Sequence, residues 1–231
     1  AASAQRALEA GLDAVLDHAS ALTGSPRLVL CGGVALNGVA NESLVFQRPD
    51  RFAEAFVMPA AEDSGTAIGA AYLGLAHLGR PHTIRRSTDD FLGPDLDLGP
   101  PSEATLEQVV DVLVDGGAVG WVQGRSEFGP RALGHRSILM DPRHSDGKAR
   151  LDEHIKRREP FRPYAPAVLA EHAAEWFDLG PVSPESPFML RVVRWRDVAR
   201  AHATVPAVVH VDGTGRLQTV APGADPLRRL L

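Results

Sequence analysis

The stretch Leu28-Val29-Leu30-Cys31-Gly32-Gly33-Val34-Ala35-Leu36-Asn37 sets how the chain is read. Arg27 to Cys31 is an apolar run of strand length that stops at paired glycines. Val34 to Val45 then carries apolar residues at intervals that predict a helix starting directly after them. Outward from that junction the pattern is regular. Ser3 to Ala21 places Leu8, Leu12, Val15, Leu16 and Ala19 at helical spacing, and Phe52 to Met58 predicts a second strand. Gly65 to Leu78 predicts a helix of small residues in which Gly65, Gly69 and Gly74 permit close backbone approach. Helix, strand, helix, strand, helix predicts an α/β layer with a largely parallel sheet.

A strand that ends in glycines and opens a helix presents backbone N–H groups at the positive end of the helix dipole, a recipe for holding phosphate. Gly32 and Gly33 are therefore candidate nucleotide ligands, with Asn37 and Asn41 one turn apart on one face. A lone glycine pair is equally a tight turn that serves packing. Asp63, just before the small-residue helix, reads as an ordinary cap or as a metal ligand facing a nucleotide site. None of the nine histidines forms a pair at i, i+4, so such a metal needs further ligands from elsewhere.

With 231 residues the chain holds one to two domains, at roughly 150 residues each. Apolar residues make up 44% and charged residues 23%, close to globular averages. The longest apolar run, Leu28 to Leu36, falls far short of the ~20 residues of a membrane-spanning helix, and no secretory segment is visible. One cysteine, Cys31, excludes an internal disulfide framework and a multi-cysteine zinc site. A soluble, cytoplasmic protein with no membrane partner is expected. The first residue is Ala and the first segment is already amphipathic helix, so the chain reads as an excerpt of a longer polypeptide.

Pro81 to Pro101 is polar and punctuated by Asp, Gly and Pro, which predicts a linker dividing residues 1–95 from 96–231. Beyond it the pattern predicts a helix at Glu103 to Asp115, a strand at Ala118 to Gln123 and a loop-rich segment at Gly124 to Pro142. A helix at Lys148 to Arg158, a strand at Ala165 to Ala170 and a short helix at Glu171 to Phe177 follow. Strands at Phe188 to Trp195 and Val208 to Val211 complete a mixed α/β second domain, with Trp176, Phe177 and Trp195 available to a contact surface.

Charge is uneven. The net charge is −5, yet Gly124 to Arg162 holds ten Arg and Lys against six Asp and Glu, leaving +4 there and −9 elsewhere. Eight of those ten cations are arginine, whose planar guanidinium favours bidentate contact with phosphate or carboxylate. Arg131 and Arg136, with Glu127 and His135, lie in a loop rich in Gly and Pro, and Lys156, Arg158 and Arg162 follow. A solvated charged face is the plainer alternative, but Pro160, Pro163, Phe161 and Tyr164 are unusual on such a face. In the stretch His210 to Gln218, an Asp212-Gly213 turn leads to Arg216 and Gln218, which share one strand face and can meet the arginine loop.

CGGVALNGVAN, EDSGTAIGAA, GRSEFGPRALGHRSIL, IKRREPFRPYAPAVL, SPFML and HVDGTGRLQTV occur in this order, and together resemble the O-carbamoyltransferase family of the NodU, CmcH and TobZ type over nearly the whole chain. The resemblance implies the second half of an actin-like ATPase or sugar-kinase-type domain, followed by a YrdC-like domain. It also implies that ATP and carbamoyl phosphate give carbamoyl adenylate, whose carbamoyl group passes to a hydroxyl of a small-molecule acceptor, a natural product or sugar. Lys156 and Arg158 would then form the adenylate-forming pair, with Arg131, Arg136 and Arg216 around the phosphates. Glu127, His135, Arg162 and Asp212 would complete that site, Gly32, Gly33, Asn37 and Asn41 would hold the nucleotide, and Asp63 would be one ligand of a divalent metal such as Fe2+. Family members carry a His-x-x-x-His pair and a Ser-x-Asn element that these residues lack, so both centres read as incomplete and the chain alone is expected not to transfer carbamoyl groups. Two rival readings are a transfer-RNA threonylcarbamoylation enzyme, which the acidic total charge disfavours, and a non-catalytic nucleotide-binding module.

Overall fold

The computed structural model describes residues 2–80, 90–223 and 225–231. Part of the expected linker, residues 81–89, lies outside the described residues. The fold is mixed α/β, as expected, and each half has its own core.

In the first half α1 (Ala2–Thr23) packs Leu16 on β1 (Arg27–Leu30), which pairs in parallel with β2 (Glu54–Val57). Leu16, Val45, Phe46, Phe52 and Val57 form the core. The strand expected to be wholly buried is covered on one face only, because Val29 and Cys31 are exposed while Leu28 and Leu30 meet the core. The long helix expected from Val34 to Val45 is instead three short pieces: a 3-10 turn at Gly33–Leu36, α2 at Gly38–Asn41 and a π turn at Glu42–Phe46. Asn37 breaks the run, since its side chain caps α2 by accepting from the Ala40 N–H at 3.1 Å. The small-residue helix, α3 (Ser64–His77), forms as expected but buries no residue, and Gly69 and Gly74 face open space. Only Gly65 is in close approach, where a Cβ would meet the Ala60 carbonyl oxygen at 2.1 Å.

The second half begins with α4 (Glu103–Val114), capped by Ser102, and the antiparallel pair β3 (Ala118–Val122) and β4 (Arg136–Met140). β4 lies inside the segment expected to be loop, and its alternation was masked by the arginine and glycines before it. After α5 (Gly147–Arg150) and a π turn at Leu151–Lys156 come β5 (Ala167–Leu169), α6 (Ala173–Trp176), β6 (Phe177–Asp178), β7 (Arg191–Trp195), α7 (Val198–Thr204) and β8 (Thr214–Val220). These strands make a four-stranded mixed sheet in the order β5-β8-β7-β6. The strand expected at Val208 to Val211 is not one; a 3-10 turn occupies Pro206–Val208 and the strand starts after the Asp212-Gly213 turn. Phe177 and Trp195 are not a contact surface. They are 0% and 5% exposed, packed ring on ring at 4.1 Å in the second core with Val193, Ala201 and Leu217.

The two halves share more than a linker. Leu190 belongs to the first core, and Asn41, wholly buried, donates to the Leu190 carbonyl at 2.9 Å. A Cβ on Gly38 would stand 3.0 Å from Val192 Cγ2, so glycine lets α2 lie against β7. The deepest link is an ion pair. Arg191, 1% exposed, donates through Nε to Glu42 Oε2 at 2.6 Å and through Nη2 to Oε1 at 2.9 Å, while Nη1 reaches the Ser183 carbonyl at 2.7 Å and the Glu185 carbonyl at 3.1 Å. Bidentate geometry and filled remaining donors are the conditions under which a buried pair withstands its desolvation cost.

Candidate anion site

Glu127 folds the arginine loop around itself. Its Oε1 accepts from the N–H groups of Leu133 at 2.6 Å, His135 at 3.0 Å and Arg136 at 3.2 Å. Burial pushes the Glu127 carboxyl pKa up, but these N–H donors outweigh it and hold the group below the ordinary value. Arg136 donates through Nη1 to the carbonyls of Gln123 and His135, at 2.7 and 2.8 Å, and through Nη2 to those of Gly124 and Pro94, at 3.0 and 3.3 Å. His135 Nδ1 lies 2.6 Å from the Arg125 carbonyl, and its ring stacks on Phe91 with centroids 3.5 Å apart. Glu127, His135 and Arg136 thus spend their polar groups on the loop's own frame.

That frame presents Arg131. The residue is half-buried, donates through Nη2 to the Leu36 carbonyl at 3.3 Å, and has a buried Nε with no partner. Gln218 pins the same loop to β8 by donating to the Leu133 carbonyl at 2.7 Å. Two residues earlier on β8, Arg216 also has a buried Nε without a partner. Burial, and then the like charges of Arg131, Arg158 and Arg162, push the Arg216 pKa down to about 10. Burial alone lowers that of Arg131. Arg216 thus feels the charges of Arg131, Arg158 and Arg162, and the Gln218 contact brings β8 to the arginine loop.

The only carboxylate that pairs with this group among the described residues is Asp152, and it is fully subscribed. It accepts from Lys148 Nζ at 2.7 Å, Arg158 Nε at 2.9 Å and the Tyr164 hydroxyl at 2.9 Å. Burial pushes the Asp152 pKa up, but these three donors together win and hold it at about 2. Arg158 also lies over the Tyr164 ring, 4.2 Å from its centroid. Lys156, at the end of the π turn, is exposed with no polar partner among the described residues. Arg162 is exposed as well.

Asp212 closes its own turn by accepting from the Thr214 N–H at 3.1 Å and the Thr214 hydroxyl at 2.6 Å. His210 Nδ1 is 3.1 Å from the same hydroxyl, its Nε2 is buried without a partner, and burial lowers its pKa. A cavity of about 410 Å³ opens beside Gly124 and His135, lined also by Asp95, Asp97 and Asp225. Its carboxylates repel anions.

The first-half candidates are differently placed. Gly32 has φ 94°, a conformation that favours glycine, and its N–H donates to the Ala61 carbonyl at 2.8 Å. Gly33 opens only a four-residue 3-10 turn, so the helix dipole expected behind the glycines is absent. Asn37 exchanges amide hydrogen bonds with Gln5 at 2.9 and 3.3 Å, and Asn41 donates to the Ala35 carbonyl at 2.8 Å besides Leu190. Both asparagines tie elements together. Asp63 is exposed and caps nothing with its side chain. Among the described residues no three His, Cys, Asp or Glu side chains converge as metal ligands, and Asp63 alone does not make a metal site.

Sequence reasoning missed four residues that organise the cluster and the contact between the halves. Asp152 and Tyr164 were legible as the acceptor and hydroxyl within reach of Lys148 and Arg158, at helical and loop spacings of four and six. Glu42 and Arg191 are 149 residues apart and left no local signal.

Among the described residues no helix is long and apolar enough to cross a membrane. Residues 1–72 match the family model for the carbamoyltransferase N-terminus and residues 110–231 that for the carbamoyltransferase C-terminus. The chain is 43% identical to nodulation protein NolO of Bradyrhizobium diazoefficiens, over 97% of this chain and 43% of that protein. It is 45% identical to nodulation protein NolNO of Sinorhizobium fredii, over 95% of this chain and 34% of the relative. To the 3'-hydroxymethylcephem-O-carbamoyltransferase of Amycolatopsis lactamdurans it is 37% identical, over 90% of this chain and 39% of that enzyme. The chain spans less than half the length of these relatives. With both family models matched, the second over more than half the chain, this protein belongs to the carbamoyltransferase family.

Proposed function

We propose that this chain is the anion-gathering part of an O-carbamoyltransferase that uses ATP and carbamoyl phosphate to make carbamoyl adenylate and then carbamoylates a hydroxyl of a small molecule. The observation that carries it is the pair of buried, unpartnered Nε–H groups on Arg131 and Arg216, with the neighbouring Arg158 held by Asp152, the one carboxylate paired with this group among the described residues. An unpaired buried guanidinium costs several kcal/mol unless an anion completes it. Two phosphorylated substrates also repel each other, and fixed cations offset that repulsion and the charge that develops on the leaving oxygens.

In this account Arg131 and Arg216 take the phosphates, and Arg162 and the exposed Lys156 close over them from the 156–163 loop. Arg158 is held by Asp152, so it acts as a fixed neighbour that orients the cluster. Glu127, Arg136 and His135 keep Arg131 in place, and Asp212 holds the turn before Arg216. For the atoms to balance, water is taken up and phosphate leaves carbamoyl phosphate as pyrophosphate leaves ATP. The hydroxyl then displaces AMP from the adenylate. We assign residues 1–95 to the actin or sugar-kinase-type domain, where Gly32, Gly33, Asn37 and Asn41 shape the wall next to Arg131, and residues 96–231 to the YrdC-like domain. A divalent metal such as iron at Asp63 would take its other ligands from outside the described residues, and no step is routed through it. The cephem named for the Amycolatopsis relative supports a small-molecule acceptor, and a cytoplasmic setting fits the use of ATP.

The test is carbamoyl-phosphate-dependent exchange of labelled pyrophosphate into ATP, in the full polypeptide that contains this chain. Exchange that needs carbamoyl phosphate and falls at least 100-fold in Arg216→Met is expected. Exchange indifferent to carbamoyl phosphate, or untouched by that substitution, overturns the proposal, the latter outcome favouring a non-catalytic module.

A further inference from the structure

Two aromatic residues stand three apart in the loop after the π turn, and the fold treats them oppositely. Tyr164 is part of the frame: its hydroxyl bonds Asp152 at 2.9 Å and its ring is covered by Arg158. Phe161 is 82% exposed. A single exposed apolar side chain is ordinary on a loose loop, but this loop is held at several points. Lys148 Nζ, itself paired with Asp152, donates to the Pro160 carbonyl. The Arg162 N–H donates to the Glu159 carbonyl at 3.2 Å, and Pro160 and Pro163 fix φ on either side. Arg157 enters the loop with φ 46°, a left-handed conformation for a residue with a side chain, which is retained only where the surroundings enforce it. Phe161 is therefore presented on a built support.

Its position is equally specific. Phe161 adjoins Arg162, and Arg158 and Arg162 are two of the three cations whose charge acts on Arg216. A flat apolar face one residue from a phosphate-binding cation has the form of a nucleotide: phosphates on the guanidinium groups and a base within reach of the ring. Base–aromatic stacking tolerates exposure in the free protein, because the ring is covered only when ligand arrives.

We infer that Phe161 is the stacking platform for the nucleobase of the nucleotide whose phosphates the arginine cluster holds. This inference rests on the anion-site assignment made above and adds to it the base-binding half of the site. The platform explains why an apolar ring is held facing solvent, and it makes the nucleobase a contributor to affinity separate from the phosphates.

Binding of ATP and of tripolyphosphate to this chain, measured by titration calorimetry for the wild type, Phe161→Ala and Phe161→Trp, separates the two contributions. Because Phe161 is exposed, neither substitution threatens the core. The expected result is that Phe161→Ala binds ATP about 10-fold more weakly than wild type, that Phe161→Trp retains wild-type ATP affinity, and that all three bind tripolyphosphate alike. Equal ATP affinity in wild type and Phe161→Ala, with tripolyphosphate still bound, overturns the platform and leaves the anion site standing. Equal losses for ATP and tripolyphosphate in Phe161→Ala overturn it too. Failure of the wild type to bind tripolyphosphate overturns the anion site and the platform together.

Discussion

Arg131 reaches across 95 residues of sequence to donate from Nη2 to the Leu36 carbonyl, 3.3 Å away, so a side chain from the arginine loop is anchored on the turn that follows the paired glycines. The contact leaves the Arg131 Nε buried and unpartnered, and Arg216 on β8 repeats that condition. Two guanidinium groups with unspent donors thus stand where like charge acts on them, as the proposed anion site requires.

Arg216→Met should therefore stabilise the free chain while removing function. It deletes a buried, self-repelled cation and keeps most of the apolar stem. A gain of about 1 kcal/mol, or ~2–4 °C in melting temperature, is expected in the absence of ligand. Differential scanning calorimetry without phosphate in the buffer checks this, and a clear drop in melting temperature would mean that Arg216 has an internal partner.

Arg136→Ala should do the reverse. Its guanidinium serves four carbonyls of the loop and its neighbours, so its loss costs about 2 kcal/mol of stability by leaving them unpaired. Urea midpoints should fall while pyrophosphate affinity, measured well below the transition, changes less than 3-fold. A larger loss of affinity at intact stability would make Arg136 a ligand.

Glu42→Leu leaves Arg191 buried without its anion and should cost about 3–5 kcal/mol. The double substitution Glu42→Leu, Arg191→Met removes both charges and should recover most of that loss, although the Ser183, Glu185 and Leu179 carbonyls then lack a donor. A double variant no more stable than Glu42→Leu would show that those carbonyls, and not the ion pair, account for the cost.

Acid sensitivity should trace to Asp152. Its folded pKa of about 2 lies below the unfolded value of 3.8, so the unfolded chain binds more protons between the two. The resulting stability is present above pH 4 and is lost as pH falls from about 4 to 2. It amounts to at most about 2 kcal/mol, with screening at the rim of the cluster making this an upper bound. Asp152→Asn should flatten the acid limb of a stability-against-pH curve in that window, and an unchanged limb would place the sensitivity elsewhere.

The elements that local pattern governs were legible. α1, β1, β2, α3, α4, β3 and β7 all fall where apolar spacing puts them, and composition alone marked the cation-rich segment from which the proposed site is drawn. Where long-range packing or a single polar side chain decides, pattern failed. The apolar intervals of Val34 to Val45 are helical, yet the Asn37 side chain captures the Ala40 N–H and divides the run. β4 hides behind glycines because its pairing with β3 is tertiary. Glu127, Arg136 and His135 have the chemistry of ligand-binding residues, and nothing in their spacing distinguishes a group that grips a substrate from one that grips its own backbone. Asp63 is the converse, a carboxylate whose partners no local motif supplies.

The most direct test of the central claim is titration of this chain with pyrophosphate at low ionic strength, comparing wild type with Arg131→Met, Arg216→Met and the double variant. Binding in the wild type that weakens at least 10-fold in each single variant and disappears in the double variant is predicted. Pyrophosphate bound equally by all four proteins would contradict the account, because the two buried Nε–H groups would then have no anion to hold.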